Sequence, residues 1–241
     1  ELSSIAGRDY LISSKTDGSL TFFDEDASAE RMRLDSSGRL LLGSTTEGEA
    51  TADDLTIATS GHTGITIRSG TSSEGNLFFS DGTSGSDEFR GAVRYYHSNN
   101  NLTFMSDATE AFRVDSSQRL LINHTSARTD FFQATGLNAL INVEGTSNAN
   151  RATSFVYNSN DAGQHLFVIG KSRGTSVGSN TIVQDDDNLG GISFHGADGS
   201  KLVEGARIEG EVDGTPGSDD MPGRLVFMTT ADGAATTTER L

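Results

Sequence analysis

The sequence predicts an all-β chain whose modules repeat and whose core is completed by further copies of itself. Three observations lead there. Apolar residues recur in short alternating runs bounded by Gly, Ser, Asn and Asp, which is the pattern of strands and turns. The runs repeat along the chain. Some runs are apolar on both faces, although only 34% of the 241 residues are hydrophobic, diluted by 30 Ser, 26 Thr and 28 Gly.

Taken in order, the candidate strands are Leu20–Phe23, Arg31–Leu34, Ile65–Arg68, Leu77–Phe79, Ala92–His97, Leu102–Met105 and Phe112–Val114. Ala139–Val143, Leu166–Ile169, Ile192–His195, Ala206–Glu211 and Leu225–Thr229 follow. Strands this short build no deep two-layer core alone. They group into modules: 1–43, a partial β module ending in an Asp-Ser-Ser-Gly hairpin; 55–126, a second; and 137–241, a third truncated at its C-terminal hairpin. Residues 44–54, without large apolar side chains, and 127–136 read as linkers.

The repeat is explicit. Leu20-Thr21-Phe22-Phe23 followed by Glu30-Arg31-Met32-Arg33-Leu34-Asp35-Ser36-Ser37-Gly38-Arg39-Leu40-Leu41-Leu42 is one copy. Leu102-Thr103-Phe104-Met105 followed by Glu110-Ala111-Phe112-Arg113-Val114-Asp115-Ser116-Ser117-Gln118-Arg119-Leu120-Leu121-Ile122 is the next. Arg224–Met228 and Glu239-Arg240-Leu241 begin a third. With no initiator Met, and a stop inside a repeat, the sequence reads as a segment of a longer polypeptide. Asp-Ser-Ser-Gly suits a tight turn with glycine at the left-handed position. Gln118 replaces that glycine, so a strained or reshaped turn is expected there. Met32 and Leu34 alternate with Arg31 and Arg33, which predicts one buried face. Leu40–Leu42 and Leu120–Ile122 need cover on both faces. The simplest cover is another copy, stacked module on module.

Composition excludes several classes. Without Cys there is no disulfide, thiolate nucleophile or Cys-ligated metal. The net charge of −16, with Lys and Arg scattered singly, argues against nucleic acid and anionic membranes as partners. No apolar run is long enough to span a membrane as a helix. The acidity suits a long, soluble, self-repelling surface.

Lys171-Ser172-Arg173-Gly174, Thr181-Ile182-Val183-Gln184, Leu189–Gly199, Met221–Phe227 with Thr229–Gly233, and Glu30–Gly38 together resemble tail-fibre proteins of tailed bacteriophages. The resemblance implies an elongated homotrimeric fibre of repeated β modules with an interchain core, located in the virion tail and extracellular. It further implies that other virion tail proteins and a host surface glycan or protein are the partners. Such fibres often carry a C-terminal chaperone domain after the Arg-Met-Arg-Leu-Asp-Ser-Ser-Gly type of motif, and no such domain is present in this sequence. The alternatives are a tailspike-type polysaccharide depolymerase and a bacterial surface adhesin or extracellular filament.

No catalytic motif stands out. The five His are scattered, and the acidic residues fall mostly in turn contexts such as Asp17-Gly18, Asp81-Gly82, Asp198-Gly199, Asp213-Gly214 and Asp232-Gly233. Neither a catalytic residue nor a cofactor is expected. Asp185, Asp186 and Asp187 form the densest oxygen-ligand run and are the metal candidates, although they lack EF-hand spacing. His97 and His124 are considered as ligands on a three-fold axis. Tyr95 with Tyr96, and Phe131 with Phe132, are the receptor-contact candidates, because one aromatic of each adjacent pair in a strand must point away from the other.

Overall fold

The structure, a computed structural model, describes residues 7–129, 139–147 and 153–240. It is nearly all β: fifteen strands in three sheets among the described residues, with one short 3-10 helix at Gly85–Phe89. Two compact units, Glu1–Arg68 and Ser69–Leu241, make up the chain.

The first unit holds a five-stranded sheet: β1 (Tyr10–Ser14), β2 (Leu20–Asp24), β3 (Ala29–Leu34), β4 (Leu40–Leu42) and β5 (Leu55–Ile57). β1 to β4 form an antiparallel meander, and β5 pairs parallel to β4. Parallel neighbours need a crossover of about a dozen residues, and 43–54 supplies it. The segment expected as a linker is therefore an internal connection, and Leu55–Ile57 closes the first sheet.

The second unit holds the other two sheets. One runs β6 (Glu74–Phe79), β7 (Gly91–Tyr96), β8 (Asn101–Ser106), β9 (Thr109–Val114) and β10 (Leu120–Ile122), with β11 (Ile141–Val143) parallel to β10. Its last five strands repeat the first sheet. The other is an antiparallel meander of β12 (Asn188–Ala197), β13 (Leu202–Val212), β14 (Gly223–Thr230) and β15 (Thr237–Glu239). That repeats the order of β6 to β9. Two expected strands, Ile65–Arg68 and Leu166–Ile169, pair with no strand among the described residues.

The Asp hairpin has the same geometry in both copies. Asp35 Oδ1 accepts the N–H groups of Ser37 (2.9 Å) and Arg39 (3.0 Å), and Oδ2 accepts Arg39 Nε (2.7 Å). Asp115 does the same with Ser117 (2.9 Å), Arg119 N–H (3.0 Å) and Arg119 Nε (2.8 Å). Gln118 holds φ 63° where Gly38 holds φ 86°. The turn is thus strained and not reshaped.

Candidate interchain face

Strand parity sorts each sheet into two unlike faces. In the first sheet, register places Ile12, Phe22, Met32, Leu42 and Ile57 in one row, and Leu20, Leu34, Leu40 and Leu55 in the next, on the same face. Val93, Phe104, Phe112, Ile122 and Val143 form the matching row of the second sheet, beside Leu102, Val114, Leu120 and Ile141. In the third sheet, Ile192, Ile208 and Phe227 align. These apolar faces are half-exposed or exposed throughout: Leu34 is 44% accessible, Ile141 65% and Ile192 51%.

The opposite faces are polar yet more deeply buried. Thr21, Arg33, Leu41 and Thr56 align in the first sheet, as do Thr103, Arg113, Leu121 and Asn142 in the second. Thr21, Leu41, Thr103 and Leu121 are closed to solvent. The chain covers this face itself. Gly48 N–H in the first crossover donates to Thr56 Oγ1 (3.0 Å), and Arg128 N–H after β10 donates to Asn142 Oδ1 (3.2 Å). The face with Met32 and Leu34, expected to be buried, is open within the single chain, and the chain itself covers the other. Of Leu40–Leu42 only the middle residue faces the covered side.

A β-bulge explains a side-chain clasp that alternation alone conceals. Residues three apart in a regular strand lie on opposite faces; one extra residue restores them to the same face. β3 carries a bulge at Arg31, β9 at Ala111 and β13 at Gly205. Across these bulges Glu30 pairs with Arg33 (2.6 Å), Glu110 with Arg113 (2.5 Å) and Glu204 with Arg207 (3.2 Å). A Glu-x-x-Arg inside a strand is the sequence signal that could have revealed it.

Further ion pairs close the ends of the sheets. Asp24, fully buried at the end of β2, accepts Arg31 Nε (3.1 Å) and Nη2 (2.7 Å), Ala27 N–H (3.1 Å), and Arg8. Chiefly the Arg31 bonds hold its carboxyl at about 2. Hydrogen bonds from Ser200 and Lys201 N–H likewise bring Asp198, in the β12–β13 turn, down to about 2.

The candidates from sequence lie as follows. Asp187 is buried and clamped by Arg173 (2.6 Å) and Lys171 (2.8 Å), which lower its pKa well below the usual carboxylate range. Asp185 accepts Gly214 N–H (2.6 Å), and Asp186, at φ 64°, lies 3.6 Å from Arg224. The three carboxylates thus diverge, and the described residues contain no group of three metal-ligating side chains. Tyr95 stands on the apolar face, edge-on to His97, with its hydroxyl donating to Asn100 (3.1 Å). Tyr96 turns to the other face, where its hydroxyl accepts from Arg94 Nη1 (3.0 Å) and its ring lies under that guanidinium. His124 bonds the carbonyls of Ser126 and Asn142. Phe131 and Phe132 lie outside the described residues.

One further constellation was not apparent from sequence. Ser193 Oγ lies 2.7 Å from His195 Nε2 and also donates to Glu204. A nucleophilic serine gives its proton to a histidine that a carboxylate orients from the far side. Here Glu204 accepts the serine hydroxyl directly. No protein-family model and no curated protein sequence matches this chain.

Proposed function

We propose that this chain is a shaft segment of a homotrimeric tail fibre of a tailed bacteriophage, which positions or contributes to recognition of a host surface glycan or protein. The observation that carries the multi-chain part is the uncovered apolar face on all three sheets. Three copies that turn these faces inward would bury apolar side chains and leave the acidic residues outside. Such an assembly is a stiff spacer whose work is mechanical. The phage part of the reading rests on the motif resemblance.

Sedimentation at micromolar concentration should give a species of three times the 25.5 kDa chain mass, and a stable monomer would overturn the trimer. Antibodies against the segment should decorate tail appendages of virions that encode it. Their failure to bind purified virions would overturn the virion assignment.

A further inference from the structure

Two strand-forming stretches are hydrogen-bonded to no strand among the described residues. Ile65–Arg68 alternates isoleucine with polar residues, and Leu166–Ile169 is four apolar residues in a row. Neither belongs to a sheet or makes a backbone hydrogen bond with any described residue. Their side chains stand in solvent, Val168 at 81% accessibility. Unpaired backbone and exposed apolar side chains in one place mark a surface awaiting a partner.

The same repeats offer unused strand edges. β6 and β12 are outermost in their sheets, and each has one side without a strand neighbour among the described residues. Natural edge strands are blunted by Lys, Pro or short length. β12 is ten residues long with neither Lys nor Pro, and β6 lacks both as well. Exposed Leu77 and Phe79 lie on one, exposed Ile192 and Phe194 on the other. In each repeat the orphan stretch comes first and the open edge follows. Within one copy, Ile169 ends the second stretch against the sheet at Gly190, where an added Cβ would lie 2.1 Å from Ile169 Cγ2. That stretch therefore meets its own sheet over Gly190 and leaves the edge of β12 open.

We propose that each orphan stretch adds as a strand to the open edge of a neighbouring copy, Ile65–Arg68 along β6 and Leu166–Ile169 along β12. This rests on the multi-chain reading above. A second copy is the occupant because one chain carries donors and acceptors in equal number. An unrelated partner filling the edges would leave both donor stretches unpaired. Donor-to-edge contacts are heterologous and close into a ring when the rotation permits, as three copies can. Backbone pairing then supplies affinity, and alternate side chains supply selectivity.

Hydrogen exchange on the purified wild-type protein tests this. Amides in 65–68 and 166–169 should exchange at least about 100-fold more slowly than in an unstructured chain. Fast exchange in a protein that sediments as a multimer overturns the strand donation and leaves the trimer standing; a monomer overturns both. Since the chain has no Cys, a Phe167→Cys, Ser193→Cys double variant treated with a short bismaleimide reports which copies touch. A covalent ladder ending at the multimer mass, absent in either single variant, supports donation between copies. Bands at single-chain mass only, cross-linked internally or not at all, overturn it.

Discussion

Gly38 closes the β3–β4 hairpin of the first sheet and Gln118 closes the β9–β10 hairpin of the second, both at positive φ. One turn later Gly43 (φ 73°) is matched by Asn123 (φ 65°). The two sheets share topology, bulge and Asp–Arg hairpin, yet one uses glycine at left-handed positions and the other side chains. At Gly43 an added Cβ would come within 2.4 Å of Ala58 O. At Asn123 the matching carbonyl, Glu144 O, instead accepts the Asn Nδ2 (2.7 Å). The β2–β3 connection differs too. Buried Asp24 with its arginines shapes the longer loop of the first sheet, while Asp107 and Ala108, both at positive φ, make a two-residue turn in the second. Turn geometry here is dictated by the carboxylate and guanidinium bonds, and glycine only relieves its cost.

The largest expected effect lies where the sheets agree. Leu41→Ala and Leu121→Ala should each cost about 2–5 kcal/mol in denaturant unfolding, because both side chains fill a face that the chain itself closes. Leu40→Ala should cost clearly less in dilute, dissociated protein and as much once copies associate. Equal costs at every concentration would refute the division into self-covered and open faces. Next, Gly43→Ala should cost about 1–3 kcal/mol, from positive φ and from collision with Ala58 O. Gly43→Asn should cost less than Gly43→Ala, since its amide can donate to that carbonyl as Asn123 does. The reverse ranking would break the equivalence of the two positions.

The hairpins and their spacing were legible in the sequence because Asp-Ser-Ser and alternating apolar residues are local signals. Three features were not. A bulge changes strand parity without changing composition, so Arg31 read as a member of the polar row when it turns aside to Asp24. The parallel pairings of β5 and β11 form only after a crossover, so Leu55–Ile57 read as the start of a new module, while β11 lay within the expected strand Ala139–Val143 with no partner assigned. Asp185–Asp187 read as one cluster, whereas the left-handed backbone at Asp186 sends neighbouring carboxylates apart. At the candidate face, the need of Leu40–Leu42 for cover on two sides was visible, but which side the chain covers depends on the crossover.

Acid should separate the sheets further. Asp24 has a folded pKa of about 2, against about 3.9 in an unfolded chain. A depressed carboxylate contributes stability that is complete above the unfolded value and is lost as pH falls through the folded one. The second sheet has Ser106 at the matching position. Between about pH 4 and 2, amides of β2 and β3 should therefore lose exchange protection before those of β8 and β9. The Asp24→Asn variant should remove that difference; its persistence would mean that Asp24 is not its source.

The smallest expected effect is a reciprocal exchange in the hairpins. Nothing lies within 4 Å of a Cβ built at Gly38, so a side chain there meets only the backbone cost of positive φ. Gln118→Gly should raise stability by about 1 kcal/mol and Gly38→Gln should lower it by about the same, read as opposite shifts of the unfolding midpoint. If Gly38→Gln is neutral, the bonds of Asp35 to Ser37, Arg39 N–H and Arg39 Nε absorb the strain, and the hairpin needs no glycine in either sheet. If Gln118→Gly destabilises, the glutamine side chain is doing something in the folded protein that outweighs its backbone.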